Sequence, residues 1–369
     1  MKLIERRRGH APDYFFLAVV VILVIFGLAM LASASSNLGK TNFNNTYYYL
    51  EHQIAFGLSL GALGFLVGYF LYYGNWKKIA FIMLLVSLAA LVLVFTPLGL
   101  QARNTSRWLR LGPLSFQPAE LMKLTFLIYL AAWLSNPKFK RATDFQSGLL
   151  PFLIISGIIA GLLILQPATS TVAILLLAGL TVYFMSGAPV KYLALMLVAA
   201  AVLIGLVIYV TPYRRARIMS YLDQSADTQG SNYQLNQSLI AIGSGGLTGV
   251  GYGQSATKAG YLPTPIDDSI FAVVAEELGF IGAGALIALF AAFAFRLMWL
   301  AKKTNDRFGR FLLIGFGMVI ALQAFVNIAA TSGIIPLTGV PLPFISYGGT
   351  ALAVFLTMSG IALNVSKYT

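Results

Sequence analysis

The 369-residue chain contains no cysteine, which excludes a disulfide, a thiolate metal site and a cysteine nucleophile. Its two histidines, His10 and His52, are too few for a histidine metal cluster or a haem pair. Charge is scarce too, at 10% of residues, against roughly 25% in soluble domains. With 58% hydrophobic residues and a mean hydropathy of +0.81, a water-soluble globule could not hide the apolar surface, so a soluble enzyme is excluded. Disorder, collagen and coiled coil fall for the same reason. A cleavable signal is not expected, because the first apolar run continues to about residue 34 without a clear cleavage site and more spans follow. Acidic residues number 12 against 25 basic ones, a formal charge of +13. In a soluble chain that excess would suggest nucleic acid; here it matches the cytoplasmic bias of Lys and Arg in membrane proteins, and no nucleic acid partner is expected.

What the chain has is apolar runs of 18 or more residues along its length. It reads as an all-α polytopic integral membrane protein with a single transmembrane domain over 1–369, which includes an N-terminal tail at 1–13. Ten spans are expected at about 14–34, 54–73, 79–98, 119–134, 149–166, 168–187, 192–210, 270–295, 311–331 and 348–366. The fifth and sixth are separated only around Gln166 and Pro167, by either a tight re-entry or a break within the membrane. Ten spans put both termini on one side. Sixteen Lys and Arg fall on that side and eight on the other (Lys40, Arg103, Arg107, Arg110, Arg214, Arg215, Arg217 and Lys258), which makes the termini cytoplasmic.

Seven of those eight outward residues lie in two loops, about 99–118 and 211–268. The second, between helices 7 and 8, is 58 residues long, too long for a mere connector. Its stretch IGSGGLTGVGYG (Ile242 to Gly253) predicts ordered, tightly turned backbone. Function is therefore expected on the outer face. No internal repeat is visible, so the inverted-repeat signature of many transporters is not supported.

Ionisable groups in or beside a span are functional candidates, because burying them is expensive. Glu120 and Lys123 are spaced i,i+3 and can pair. They read either as a structural ion pair or, with Arg107 and Arg110 upstream, as a cationic pocket beside a carboxylate, suited to a pyrophosphate or an anionic sugar lipid. Asp268, just before Ser269 and a long apolar run, has the pattern of a helix N-cap. At the end of the Gly-rich outer loop it would also face a substrate held there. Glu276 and Glu277 lie two turns deeper and read as anchors or as a proton relay. The Gly-rich stretch is no P-loop, since no GKS or GKT follows it. The stretch GIIPLTGVPLPFISYGGT (Gly333 to Thr350) is dense in Pro and Gly, either a plain turn or broken backbone lining a cavity.

Four stretches together resemble the SEDS family, the FtsW/RodA/SpoVE-type proteins of bacterial cell-wall synthesis. They are RWLRLGPLSFQPAEL (Arg107 to Leu121), NYQLNQSLIAIGSGGLTGVGYGQS (Asn232 to Ser255), LPTPIDDSIFAVVAEELG (Leu262 to Gly279) and the Gly333 to Thr350 stretch. Within the family, YGQSATKAGYLPTPIDDSIF is more similar to the division branch, FtsW, than to the elongation branch, RodA. The resemblance implies a peptidoglycan glycosyltransferase that polymerises lipid II at the outer face of the cytoplasmic membrane, at the division septum for that branch. The family's essential aspartate falls on Asp268, with Asp267 in place of the usual Thr or Gly. Its Arg-Trp arginine falls on Arg107, and its Glu and Lys after Gln-Pro fall on Glu120 and Lys123. One departure is clear: after the fifth span the family usually reads Gln-Pro-Asp-Leu-Gly-Thr, and this chain reads Gln166, Pro167, Ala168, Thr169, Ser170, Thr171.

The expectation is thus a catalytic Asp268, with Arg107, Arg110, Glu120, Lys123, Lys258 and Ser346 as candidate substrate-binding residues. Asp268 would accept the proton of the attacking hydroxyl, and Arg107 and Lys123 would offset charge on the departing pyrophosphate. A divalent cation, Mg2+ or Mn2+, could share that pyrophosphate, although the sequence shows no dedicated metal cage. The resemblance further implies a class B penicillin-binding protein, a transpeptidase, as membrane partner, together with other divisome proteins. Three rivals remain: an elongation-type (RodA) polymerase, a flippase that moves lipid II across the membrane, and a scaffold that only recruits a synthase.

Overall fold

The computed structural model describes residues 9–102, 105–111, 114–136, 142–211, 215, 219, 221 and 231–369. Ten of its helices coincide with the ten expected apolar segments: α1 (Tyr14–Phe43), α2 (Tyr48–Phe70), α3 (Gly74–Leu93), α4 (Pro118–Leu134), α5 (Phe145–Leu165), α6 (Thr169–Met185), α7 (Val190–Val210), then, beyond α8 (Ser231–Ser244), α9 (Ile270–Lys303), α10 (Arg307–Thr331) and α11 (Gly349–Ser366). Eight of them are long and apolar enough to cross a membrane; α4 and α6 have 17 residues each. Between α5 and α6 the chain turns through Gln166 to Ala168, so the two are separate helices.

Two elements stand where only loops were expected. The loop after α3 folds into a small antiparallel sheet, β1 (Gly99–Ala102), β2 (Thr105–Leu111) and β3 (Leu114–Phe116), with β2 in the middle. The supposed loop at 211–268 contains α8, a 14-residue helix whose polar composition hides it from a search for apolar runs. Arg103, Arg214 and Arg217 lie outside the described residues.

The ends of the chain meet. Asp13 caps α1 by accepting from Phe16 N at 2.8 Å, receives the Arg296 guanidinium at 2.6 Å, and donates its own N–H to Ser366 Oγ at 3.1 Å. The start of α1, the far part of α9 and the end of α11 therefore lie at one end of the bundle.

α2 and α11 pack through small residues. A Cβ on Gly64 would stand 2.0 Å from Thr357 Oγ1, and one on Gly360 would stand 2.2 Å from Phe65 O. Such close backbone approach is how helices associate where lipid removes the hydrophobic drive. α2 contains a π-helical stretch, Gln53–Leu58, and there the buried Gln53 accepts from Gly348 N at 3.1 Å, tying α2 to the head of α11.

The second organising feature is a break in α9 at Gly279 (φ 65°, ψ −167°). A break strands carbonyls on one side and N–H groups on the other, which an apolar interior does not forgive. The Gly-rich loop after α8 satisfies both sets. Val250 N and Gly251 N donate to Glu276 O and Glu277 O at 3.0 and 3.1 Å, while Phe280 N and Ile281 N donate to Gly246 O and Leu247 O at 2.9 and 3.1 Å. The loop is glycine-rich because the two backbones touch: a Cβ on Gly249 (φ +82°) would lie 2.1 Å from Glu277 O, and one on Gly279 would lie 2.3 Å from Gly249 N. The tightly turned backbone expected of Ile242 to Gly253 is thus present, and this contact is its cause.

Candidate active site

Glu276 and Glu277, just before the break, fasten the rest of the outer loop. Glu277 is fully buried and takes Lys258 Nζ at 2.7 Å, Ser33 Oγ of α1 at 2.6 Å and Gly253 N at 3.0 Å. Glu276 takes Ser255 Oγ at 2.5 Å, Ala256 N at 3.0 Å and the Thr257 hydroxyl. Their carboxylates are filled by anchoring bonds, the first of the two roles expected for them. Lys258 is corrected by the same geometry. Its ammonium donates to Glu277, Ser33 and the Gly253 carbonyl, at 2.7 to 2.8 Å, which uses all three of its protons inside the protein.

The anchored loop leads into a tight turn that presents Asp268. Asp267 N and Ser269 N both donate to Thr264 O, at 3.1 and 3.4 Å. The residue at the head of α9 is Ser269, and no side chain caps the helix there. The N-cap reading of Asp268 is therefore replaced: its half-buried carboxylate accepts from the Thr264 hydroxyl through Oδ1. Its other oxygen, Oδ2, stands 3.8 Å from where a Cβ on Gly339 would be, in the Pro/Gly stretch before α11.

That stretch is no plain turn. It is stitched to the backbone around Asp268: Tyr347 N donates to Ile266 O at 2.8 Å, and Ser346 Oγ donates to Asp267 O. Ser346 also receives Leu342 N at 2.8 Å. Its hydroxyl thus braces the loop, a correction to its place among substrate-binding candidates. Burial, followed by the neighbouring Tyr48, Tyr49 and Asp267, pushes the Tyr347 phenol up to about 12.

The second half of the site lies on α4. Lys123 Nζ donates to Glu120 Oε1 and to Gln323 Oε1 of α10, both at 2.6 Å, and faces the Phe355 ring at 5.5 Å. Lys123 and Glu120 are buried, and Glu120 Oε2 has no hydrogen-bond partner among the described residues. One face of α10 links the halves. Gln323 also donates to Pro341 O at 2.9 Å, and Asn327, one turn on, donates to Asp268 O and Val340 O, both at 2.8 Å. Gln323, Asn327 and Thr264 escaped the sequence reading because it looked for charge. For Gln323 and Asn327, uncharged polar residues within an apolar run were the available signal.

The arginines separate. Arg107 is the extra residue at a register irregularity of β2, between Ser106 and Trp108, which pair with Gln101 and Leu100. Arg107 turns to the α5–α6 junction, where Nε donates to Gln166 O at 2.9 Å and an Nη to Pro167 O at 2.7 Å. Arg110 is exposed. Among the described residues no three carboxylates or histidines gather into a metal cage, so the residues present do not by themselves fit one.

Comparison with known proteins gives this geometry a context. The family model FTSW_RODA_SPOVE, described as "Cell cycle protein", matches residues 13–369. "Stage V sporulation protein E" of Bacillus subtilis (strain 168) is 36% identical over 362 residues, covering 97% of this chain and 98% of that one. A "Probable peptidoglycan glycosyltransferase FtsW" of Alcanivorax borkumensis is 38% identical over 362 residues, covering 95% and 92%. A solved structure described as "Structural coordination of polymerization and crosslinking by a peptidoglycan synthase complex" superposes with a TM-score of 0.79 at 30% identity, covering 97% of this chain and 99% of that one. With a matching family model across nearly its whole length, the chain belongs to the FtsW/RodA/SpoVE, or SEDS, family.

Proposed function

We propose that this protein is a peptidoglycan glycosyltransferase that polymerises lipid II at the outer face of the cytoplasmic membrane. One observation carries the reading: Asp268 is half-buried, its carboxylate is oriented through Oδ1, and Oδ2 faces the glycine at position 339. In this reading Oδ2 accepts the proton of the acceptor sugar's 4-hydroxyl as that oxygen bonds to the donor's anomeric carbon. The bond from that carbon to the lipid pyrophosphate breaks, and the undecaprenyl pyrophosphate leaves with the electron pair. Direct displacement inverts the configuration at the sugar. General-base assistance of this kind is worth roughly 10²–10⁴-fold. Lys123, held by Glu120 and Gln323, offsets the charge developing on the leaving group, with Arg107 doing the same at the α5–α6 junction.

In this reading all ten apolar helices cross the membrane and both termini are cytoplasmic. The meeting of α1, α9 and α11 at one end supports the shared side, and the distribution of Lys and Arg supports the cytoplasmic one. A class B penicillin-binding protein is the proposed partner, after the synthase complex that this fold matches. A septal role in division with the other divisome proteins follows the FtsW-named relatives and the loop pattern before Asp268.

The test is glycan synthesis by purified protein, alone and with its transpeptidase, given lipid II and Mg2+ or Mn2+. Glycan ladders from wild type and none from a folded Asp268→Ala variant are expected. Ladders from that variant would remove Asp268 as the base. No ladder from either, with lipid II translocation in proteoliposomes, would replace the polymerase by a flippase.

A further inference from the structure

The turn that presents Asp268 contains a feature that the fold alone does not require. Thr264 has φ +50°, in the left-handed region that β-branched residues rarely occupy. Its backbone carbonyl closes the turn by receiving Asp267 N and Ser269 N. That function needs the conformation but not the side chain, and glycine would supply it with less strain. The hydroxyl lies between two groups. Gln234 of α8 donates from Nε2 to Thr264 Oγ1 at 3.3 Å and to Ser269 Oγ at 3.0 Å, and Thr264 donates onward to Asp268 Oδ1. A hydroxyl has a single proton. With Gln234 occupying an acceptor position, that proton is directed at the carboxylate.

We propose that Thr264, oriented by Gln234, is a positioning residue for Asp268: it fixes the carboxylate by Oδ1 and leaves Oδ2 for the acceptor hydroxyl. The inference rests on the reading of Asp268 as the base. It adds that α8, within the long outer loop, tunes that base through one side chain. Near-attack geometry is sensitive to small displacements, so a carboxylate free to rotate loses rate rather than substrate affinity.

The test compares Thr264→Val, Thr264→Ser, Thr264→Gly and Gln234→Leu in steady-state lipid II polymerisation, with thermal unfolding in detergent alongside. Valine keeps the β-branch and hence the backbone strain while deleting the hydroxyl. It should lower kcat about tenfold to a hundredfold, the size expected for one hydrogen bond to a charged group, and leave KM within about twofold. Serine should restore kcat to within about threefold. Glycine should be at least as heat-stable as wild type yet as slow as valine, a combination that a purely structural role would not give. Gln234→Leu should lower kcat several-fold with KM unchanged, and it decides the matter should the Thr264 variants fail to fold. Wild-type kcat in Thr264→Val or in Gln234→Leu overturns the proposal while Asp268→Ala remains inactive. An active Asp268→Ala overturns the underlying reading instead.

Discussion

The buried pair on α4 allows a prediction whose size follows from the geometry. Lys123→Met removes an ammonium whose side chain is 1% exposed and which bonds both Glu120 and Gln323 at 2.6 Å. Methionine fills much of the same volume, so cavity formation contributes little. What remains is a carboxylate with neither oxygen bonded, since Oε2 already lacks a partner among the described residues, and a Gln323 carbonyl oxygen without its donor. Removing one member of a buried pair costs about 3–5 kcal/mol, because the survivor stays out of water without its counter-charge. Replacing both members should cost much less. Lys123→Met with Glu120→Gln leaves neutral groups of nearly the original shape, and buried pairs replaced in this way are often close to neutral in stability.

The measurement is a double-mutant cycle on thermal or denaturant unfolding in detergent, with polymerase activity recorded for each variant. The single variants should lose more together than the double variant does, and the double variant should fold but remain inactive for want of the cation. Additive losses, or a Lys123→Met protein as stable as wild type, would refute the claim that the pair is buried and coupled.

Three further predictions concern the backbone and the bracing of the site. Gly249→Ala places a methyl 2.1 Å from Glu277 O at φ +82°, whereas Gly246→Ala at φ +55° meets open space. The first should abolish a monodisperse peak on size exclusion and the second should cost only about 1 kcal/mol of stability; equal behaviour would refute the packing argument. Asn327→Leu deletes both donors that hold Asp268 O and Val340 O while nearly conserving shape, and Asn327 Oδ1 has no partner to lose among the described residues. Polymerisation should fall about tenfold or more in a protein that still folds, and undiminished activity would remove α10 from the site. Tyr347, whose phenol is raised to about 12, is held neutral by the folded state above its ordinary value of 10. That stabilisation is complete below pH 10 and is lost as pH rises towards 12. The difference in melting temperature between wild type and Tyr347→Phe should therefore drift against wild type across that window, and a pH-independent difference would contradict it.

The bundle was legible because lipid leaves an apolar run of helical length few alternatives. All ten expected segments fall on helices, even α4, which carries Glu120 and Lys123. The elements missed lack that signal. The residues of α8 are too polar to read as a span, and the sheet of 99–116 is short and formed by pairing with itself. The break at Gly279 sits inside an apolar run that reads as continuous. It exists because a loop about thirty residues upstream accepts and donates the bonds that the helix gives up, and no local pattern in α9 encodes that exchange.

The candidate site divides along the same line. Its charges stood out in the sequence, since so few occur in this chain, and Glu120–Lys123 proved to be a pair of the expected spacing. What each charge faces was not legible. Lys258 and Arg107 were both candidates for binding substrate; Lys258 is consumed by Glu277, whereas Arg107 is oriented by two carbonyls at a helix end. Carbonyl acceptors carry no side-chain signature, and most partners around this site are carbonyls: Asp267 O for Ser346, Asp268 O for Asn327, Pro341 O for Gln323. A site assembled where helices break draws its geometry from such groups, because backbone freed from a helix must find partners away from lipid. Asp268 is held on both sides in this way, by its peptide carbonyl through α10 and by its carboxylate through Thr264. The first contact fixes where the residue sits, and the second fixes which oxygen it offers. Removing the second should change the chemical step alone, whereas removing the first displaces the whole residue, which is why Asn327→Leu and Thr264→Val are expected to differ: the former should disturb KM and kcat together, the latter kcat alone.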